Sequence, residues 1–354
     1  MSELPPYWFR RLVLAPVFVL GTVALFTTLP LWAAVAAFAS RIVPGRWRIL
    51  RVAWFLFVYL FFESVMLVVL FVLWIASGFG WKIRSPRFED LHYALAAWWL
   101  RRVMGSARRT FNLVIERDDQ DDTPVEQTDA PLIVFSRHAG PGDSFLLIDA
   151  LLNRSQRRPR IVLKDLLQFD PCVDVVLNRL PNRFIPSKGR AGNVVIDSIV
   201  ELSGGMGPGD AFVLFPEGGN FTPARHARAI EKLEEIGRPG LADQARQMHH
   251  VLPPKPTGAL TAIAAAPTAR IVFVGHVGLE ELSTMKDLWR GIPMDANVVS
   301  RLWSVTADQV PPEPEREQWL YDHWKQMDEW IDSRGIADAD IGDPDPPTAT
   351  SQES

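Results

Sequence analysis

Two long stretches without charge near the amino terminus constrain the fold more than any other feature of the sequence. Residues 12–40 contain no charged side chain, and residues 52–81 contain only Glu63. Each stretch is longer than the roughly 20 residues that a helix needs to cross a hydrocarbon core about 30 Å thick. The first lacks the small-residue cleavage site of a signal peptide, so we expect it to be retained. The sequence therefore predicts an integral membrane protein, anchored by two hydrophobic helices within residues 1–88.

The charge distribution supports a membrane location but leaves the topology of the anchor open. Residues 1–111 hold 13 Lys and Arg against 4 Asp and Glu, whereas the remainder holds 24 against 37. Full crossing would place the arginines of residues 41–51 on the far side of the membrane, against the tendency of basic residues to stay on the cytoplasmic side. A re-entrant hairpin broken at Pro30 would keep them on one side. The length of both stretches favours crossing, and Glu63 is expected to have no functional role.

Residues 89–130 connect the predicted anchor to the rest of the chain. Between residues 89 and 104, apolar side chains recur at helical spacing. This pattern predicts a helix that lies either in the headgroup region of a membrane or against the core of the following domain. Residues 116–129 are acidic and lack the ligand spacing of a calcium loop, so we interpret them as a solvated linker.

Residues 131–335 show the pattern of one α/β domain. Short β-rich runs alternate with helical or loop segments, which predicts a mixed, largely parallel sheet flanked by helices. A terminal helix is predicted at 315–332, and residues 336–354, rich in Asp, Pro, Ser and Thr, are predicted to form a disordered tail. The β-rich runs are residues 132–135, 161–163, 211–215 and 271–274.

A candidate general-base pair lies where the first of these runs ends. Residues 131–135 lead into a glycine-rich turn, and His138 is followed by Asp143 at the expected start of a helix. The turn can fold the carboxylate back onto one ring nitrogen and leave the other free to accept a proton. The same spacing recurs at His323 and Asp328 in a charged helical stretch. The pair therefore gains meaning only together with a second motif.

The second motif follows another apolar run. Residues 211–215 end directly in Pro216-Glu217-Gly218-Gly219-Asn220. Parallel α/β sheets present functional groups at the carboxyl ends of their strands, and glycines allow other groups to approach the backbone closely. We therefore expect this motif to face the same crevice as the first.

Two further segments extend the pattern, NRFIPSKGR at 182–190 and HVLPPKPTG at 250–258. Together with HAGPGD at 138–143 and FPEGGN at 215–220, they resemble the sequence blocks of the glycerophospholipid acyltransferase family. That family includes the 1-acylglycerol-3-phosphate and lysophospholipid acyltransferases. The last segment makes the resemblance closest to the lysophospholipid and lysocardiolipin branch. The order and spacing of the blocks agree over residues 130–335.

The resemblance implies transfer of a fatty acyl group from acyl-CoA to a free hydroxyl of a lysophospholipid on the cytoplasmic face of a membrane. His138 would take the hydroxyl proton, and Asp143 would orient the ring and stabilise its positive form. Backbone amides of residues 140–143 would stabilise the oxyanion. The expected partners are acyl-CoA, a lysophospholipid and the lipid bilayer. No metal, cofactor or nucleic acid is expected, and acyl-carrier protein is an alternative donor.

The resemblance also implies a set of substrate-binding residues. Lys188 and Arg190 would meet the phosphate of the acceptor, because Ser187 stands where the family usually has arginine. Glu217 would bind polar groups of the acceptor and help to hold the shape of the site. Arg137 replaces a common asparagine, which leaves the acceptor headgroup open. The full set is Glu217, Gly218, Lys188, Arg190 and Arg137.

Other classes of protein fit the sequence less well. It contains no Gly-x-Ser-x-Gly pentapeptide of a serine hydrolase, and the glycine-rich residues 204–209 precede a strand instead of following one. Cys172 has no convincing base near it and is expected to be a buried structural thiol. The alternative from a different class is a membrane-anchored lipid-binding or scaffold protein with a degenerate acyltransferase fold. The presence of His138, Asp143 and Glu217 argues against that alternative.

Overall fold

A seven-stranded sheet forms the centre of the fold. The computed structural model describes residues 4–118, 128–140, 142–186, 192–279 and 289–334. The strands are β1 (Val114–Arg117), β2 (Leu132–Ser136), β3 (Arg158–Lys164), β4 (Arg183–Ile185), β5 (Asp210–Leu214), β6 (Arg270–Val277) and β7 (Asn297–Val305).

The sheet is mixed and largely parallel. Its strand order is β1-β7-β6-β2-β5-β3-β4, and β6 and β7 are its antiparallel neighbours. In β2, Phe135 pairs with Leu214 of β5 on one side and with Phe273 of β6 on the other, and both pairings are parallel. The carboxyl ends of these three strands therefore lie at one edge of the sheet. The α/β fold predicted from the alternating pattern is confirmed.

Helices cover both faces of the sheet. Those before and within the first half of the domain are α1 (Tyr7–Thr27), α2 (Leu29–Ile42), α3 (Arg48–Ala76), α4 (Pro86–Phe111), α5 (Asp143–Asp149) and α6 (Pro171–Leu177). Those of the second half are α7 (Gly192–Gly204), α8 (Pro223–Glu235), α9 (Pro239–Arg246), α10 (Pro256–Ala265) and α11 (Arg316–Ser333). A short 3₁₀ segment, Asp165–Phe169, connects β3 to α6.

The two faces of the sheet bury different side chains because successive residues of a strand point to opposite sides. Ile133 and Phe135 of β2 pack against α7, α9, α10 and α11, whereas Leu132 and Val134 pack on the side of α5. All five residues of β2 are buried. This burial on both faces explains why the strand appears in the sequence as a continuous apolar run.

The amino-terminal helices form an additional layer on the α5 and α6 side. Trp99 and Val103 of α4 are buried in a cluster with residues of α3 and α6, so α4 packs on the domain, the second of its two predicted alternatives. Helix α3 lies against α4, and Phe26 of α1 stacks on Phe57 of α3 with ring centroids 4.0 Å apart. Both α1 and α3 are long and apolar enough to cross a membrane, as predicted, although no membrane is part of the structure.

Sequence patterns do not predict three of the strands, β1, β4 and β7. Strand β1 lies in the region assigned to the linker, where Val114 pairs with Asn297 of β7. It has four residues with alternating exposed and half-buried side chains, too short and too polar a pattern to predict a strand. The sheet thus includes residues before the expected domain start at residue 131. Linker residues 119–127 and the predicted tail, 336–354, lie outside the described residues.

Candidate active site

The carboxyl ends of β2 and β5 place the two sequence motifs side by side. His138 follows the end of β2 and Glu217 follows the end of β5, and the two strands are parallel neighbours. The backbone N–H of His138 donates a hydrogen bond to Oε1 of Glu217 at 3.3 Å. The motifs therefore meet at one edge of the sheet, where open α/β folds bind their ligands.

His138 and Asp143 form a hydrogen-bonded pair. The Nδ1 atom of His138 lies 2.8 Å from Oδ2 and 3.1 Å from Oδ1 of Asp143. Since an ionised carboxylate only accepts hydrogen bonds, Nδ1 is the donor, and in a neutral ring Nε2 would present a lone pair. The side chain of His138 is 25% exposed, whereas that of Asp143 is 2% exposed. A molecule in the crevice can therefore reach the imidazole but not the carboxylate.

Hydrogen bonds from His138 and from the backbone hold the Asp143 carboxylate in the ionised form. Oδ2 accepts hydrogen bonds from the N–H groups of Ala139 at 2.8 Å and Gly140 at 3.1 Å. Burial alone would raise the pKa of Asp143, but the hydrogen bond and the charge of His138 outweigh burial, and the pKa is lowered. The N–H of Gly140, which is expected to serve as an oxyanion donor, thus donates its hydrogen bond to the Asp143 carboxylate.

The second motif fixes the backbone of His138 from both sides. Glu217 accepts from the N–H of His138, and the carbonyl of His138 accepts from the N–H of Phe221 at 3.1 Å. The other oxygen of Glu217 accepts from the N–H of Leu252 at 3.3 Å, in the segment that follows α9. Three sequence blocks are therefore joined at the candidate base.

Glu217 lies in the interior, with 2% of its surface exposed. Burial raises its pKa to about 8, although the charge of Arg137 and the N–H donors of Leu252 and His138 act in the opposite direction. The position of Glu217 suits a residue that holds the shape of the site. It does not favour the direct contact with an acceptor that the sequence suggests.

Arg137 is also buried, with 1% of its surface exposed. Its guanidinium donates hydrogen bonds to the carbonyl of His276 on β6 and, at 2.8 Å, to the carbonyl of His250. Arg137 therefore ties the end of β2 to a neighbouring strand and to the segment before α10. These bonds give Arg137 a structural role, and its contact with substrate stays a prediction.

Cationic side chains gather beside Gly218. This glycine has a φ of +72°, a left-handed conformation that favours glycine, and a Cβ at this position would collide with the ammonium of Lys255. The pKa of Lys255 is lowered, first by burial and then by the charges of Lys232 and Lys164. Arg225 donates a hydrogen bond to the same loop. The glycine therefore allows a cluster of positive charge at the edge that carries His138.

The other predicted site residues, Lys188 and Arg190, lie outside the described residues and stay a prediction. In the described part of the chain, no group of three His, Cys, Asp or Glu side chains is arranged to hold a metal ion. Cys172 is buried in α6.

Sequence patterns do not single out His276, which lies close to the pair. Its Nε2 atom is 3.8 Å from Oδ2 of Asp143, and its side chain is 9% exposed. Both residues line a cavity of about 100 Å³ between α5 and the sheet. The charge of His276 helps to lower the pKa of Asp143. A signal does exist in the sequence, because His276 follows the apolar run 271–274, whose carboxyl end is expected at the same sheet edge.

The sheet and the His138–Asp143 pair define an α/β protein with a candidate general-base site at the carboxyl ends of its strands. Residues 115–272 match the family model described as Acyltransferase. This part of the chain is therefore similar to the acyltransferase family, in agreement with the family expected from the sequence blocks.

The chain is similar to a solved structure but to no curated protein sequence. The chain is similar to the crystal structure of the 1-acyl-sn-glycerophosphate (LPA) acyltransferase, PlsC, from Thermotoga maritima. The two share 14% sequence identity with a TM-score of 0.42, and the match covers 77% of this chain and 98% of that chain. The comparison with curated proteins found no similar sequence.

Proposed function

We propose that the protein moves a fatty acyl group from acyl-CoA to a free hydroxyl of a lysophospholipid at a membrane surface. The observation that carries this proposal is the contact of 2.8 Å between Nδ1 of His138 and Asp143, made by a ring that is partly open to the crevice. Membership of the acyltransferase family supports the reaction type. The donor, the acceptor and the role of each residue are parts of the proposal.

The reaction needs one group that first accepts and then returns a proton. Nε2 of His138 takes the proton of the acceptor hydroxyl while the oxygen attacks the thioester carbon, and Asp143 stabilises the imidazolium that forms. The tetrahedral intermediate then collapses, the carbon–sulfur bond breaks, and the imidazolium returns the proton to the leaving thiolate. An ester and free CoA result. Such general-base catalysis contributes about 10²–10⁴-fold to the rate.

The cluster of cations beside Gly218 supports CoA as the donor. Lys255 lies against Gly218 and Arg225 donates to the carbonyl of Asn220, while the charges of Lys232 and Lys164 act on Lys255. CoA carries a diphosphate and a ribose phosphate, so it offers these side chains more negative charge than the single phosphodiester of acyl-carrier protein. In this proposal Lys188 and Arg190 are left to meet the phosphate of the acceptor.

The amino-terminal helices are attached to the domain at both ends. At the start of α1, Arg10 and Arg11 bind Asp174 of α6 at 3.1 and 2.7 Å. Between α2 and α3, Arg46 pairs with Asp295, and Arg48 donates to the carbonyl of Ile292 at 3.0 Å. These contacts hold the amino terminus and the α2–α3 loop on the same body.

Helix α3 also stays on the domain over most of its length. Arg48, its first residue, contacts the loop before β7, and the carbonyl of Leu70 accepts a hydrogen bond from Arg179 at 2.8 Å. From Arg48 to Leu70 an α-helix extends about 33 Å, close to the thickness of the hydrocarbon core. A helix that crossed the bilayer could not keep both ends on a domain in water. The proposal therefore places α1–α3 in the plane of one leaflet, with the domain on the cytoplasmic face.

The outer surface of α1–α3 is suited to that position. Large apolar side chains such as Leu12, Leu20, Phe38 and Phe71 are 58–72% exposed. Glu63, the acidic residue within α3, is 1% exposed, on the side that packs against the domain. An in-plane arrangement therefore puts apolar side chains into lipid and keeps this carboxyl out of it.

The competing function is a membrane-anchored lipid-binding or scaffold protein whose acyltransferase chemistry has been lost. It would bind the same lipids through the same apolar surface. The two functions differ in what His138 does, because only a transferase needs its free nitrogen as a base.

The test measures CoA release by the purified full-length protein with acyl-CoA and a panel of lysophospholipids. We expect His138→Ala to lower the rate with the preferred acceptor by about 10²–10⁴-fold. His249→Ala, which removes an exposed imidazole, is the matched control and should leave the rate unchanged. If the wild type and His138→Ala release CoA equally slowly with every acceptor, the scaffold function replaces the proposed one.

A further inference from the structure

The 3₁₀ segment Asp165–Phe169 directs three large apolar side chains into solvent. Leu166, Leu167 and Phe169 are 41%, 48% and 48% exposed, whereas Gln168 between them is 8% exposed. The turn therefore points its apolar side chains outward and its polar one inward. This is the reverse of the arrangement expected for a turn that faces water.

Hydrogen bonds hold this segment on both sides. Oε1 of Gln168 accepts from Arg10 of α1 and from Asn178, each at 3.1 Å. Asp170, the next residue after the segment, accepts from the hydroxyl of Tyr59 on α3 at 2.7 Å. The exposure of the apolar side chains is thus fixed by contacts with the amino-terminal helices.

The apolar side chains of the segment adjoin the proposed membrane surface. Arg10, which binds Gln168, follows Tyr7 and Trp8 on α1, and these two rings are 63% and 60% exposed. Tyrosine and tryptophan side chains are enriched at the boundary between lipid and water.

We propose that Asp165–Phe169 inserts into the same lipid leaflet as α1–α3 and holds the active-site edge of the sheet against the bilayer. The segment leaves the sheet at the carboxyl end of β3, beside β5, at the same edge that carries His138 and Glu217. A lipid acceptor can then bring its hydroxyl to the imidazole while its acyl chain stays in the leaflet. This inference rests on the membrane location proposed above.

The first experiment measures the depth of the segment in a bilayer. Full-length Leu167→Cys is labelled with an environment-sensitive fluorophore and reconstituted into vesicles of equal parts phosphatidylethanolamine and phosphatidylglycerol. The native Cys172 is 3% exposed, and unmodified protein reports any reaction at that site. Thr268→Cys, in an exposed loop at the opposite edge of the sheet, is the matched control.

We expect the label at position 167 to shift to shorter wavelength and to be quenched by lipids with brominated acyl chains. The label at position 268 should show neither effect. A label at 167 that behaves like the label at 268 would overturn the inference.

The second experiment separates insertion from catalysis. The double variant Leu167→Ser/Phe169→Ser should lose about tenfold in kcat/KM for a lysophospholipid embedded in vesicles, because two half-exposed apolar side chains no longer enter lipid. With a short-chain, water-dispersed lysophospholipid, its rate should equal that of Ile236→Ser, which removes an exposed apolar side chain on the other face of the sheet. No loss, or an equal loss with both acceptors, counts against the inference. If no acceptor supports turnover, the proposed function fails. The quenching experiment still decides whether Asp165–Phe169 inserts into the membrane.

Discussion

At the scale of single residues, the pKa values of the two buried carboxyl groups of the site are shifted in opposite directions. The pKa of Asp143 is lowered because the hydrogen bond and charge of His138 outweigh burial. The pKa of Glu217 is raised to about 8 because burial outweighs the charge of Arg137 and the backbone donors. One carboxyl is thus ionised beside the imidazole of His138, while the other is held mainly neutral inside the fold below pH 8.

The raised pKa of Glu217 should make the free energy of unfolding fall as the pH rises. A carboxyl whose pKa is raised from 4.5 to about 8 on folding gives a stabilisation that is fully present below pH 4.5 and is lost as the pH approaches 8. Glu217→Gln stays neutral at every pH. We therefore expect the thermal midpoint of the wild type to fall steadily relative to that of Glu217→Gln from pH 5 to pH 8.

Thermal unfolding in detergent at several pH values checks this expectation. Glu235→Gln is the matched control, because its carboxyl is exposed to water on α8. A difference between wild type and Glu217→Gln that stays constant over the whole range would mean that Glu217 is ionised in the folded protein.

The sequence identifies the candidate general-base pair but not the residues that pack around it. His138 and Asp143 are close in sequence, so turn chemistry alone predicts their contact. The roles of Arg137 and His276 depend on pairing between β2 and β6, which brings together residues 139 positions apart. No local pattern carries that information, and Arg137 accordingly appears from the sequence to be a substrate-binding residue.

At the scale of elements, sequence reasoning succeeds where a strand is buried on both faces. The runs of β2 and β5 are short and continuously apolar, and both are found where predicted. Strands β1 and β4 lie at the edges of the sheet, have four and three residues, and are only partly buried. An edge strand needs few apolar side chains, so its sequence resembles that of a loop.

The contact between α1 and α6 depends on one buried carboxylate. Asp174 binds Arg10 and Arg11, and the side chains of the three residues are 1%, 9% and 14% exposed. Asp174→Asn would leave two largely buried guanidinium groups without their charge partner, which costs about 3–5 kcal/mol. We expect a lower thermal midpoint and faster proteolytic cleavage near the start of α1.

Asp295→Asn provides the matched control for this contact. Asp295 pairs with Arg46, and both side chains are largely open to water, at 41% and 69% exposed. Exposed ion pairs contribute little to stability. If Asp174→Asn changes the midpoint no more than Asp295→Asn does, the buried pair does not hold α1 on the domain.

At the scale of the whole molecule, the amino-terminal helices form an outer layer on one face of an α/β domain. Their length and composition alone predict spans, because a helix that lies in a leaflet and a helix that crosses it present similar apolar stretches. What distinguishes a helix in one leaflet from a crossing helix is its contacts with distant residues, such as Arg48 with Ile292 and Leu70 with Arg179. Hydropathy does not contain this information, so the topology could not be settled from the sequence.

The position of the α2–α3 loop distinguishes the two arrangements. Pro44 is exposed in this loop, close to Arg46 and Arg48, which contact the domain. If α1–α3 lie in one leaflet, a cysteine at position 44 is on the same side of the membrane as the domain. If the helices cross, the two are on opposite sides.

Labelling of sealed vesicles with a membrane-impermeant maleimide measures this difference. With the domain facing outward, we expect Pro44→Cys and Thr268→Cys to react equally before the vesicles are opened, since both sites are exposed on the same side. Leu20→Cys, on the outer surface of α1, should stay unreactive because lipid covers it. Reaction of Pro44→Cys only after detergent is added would establish crossing helices, and the contacts of Arg46 and Arg48 with the domain could not then persist in the membrane.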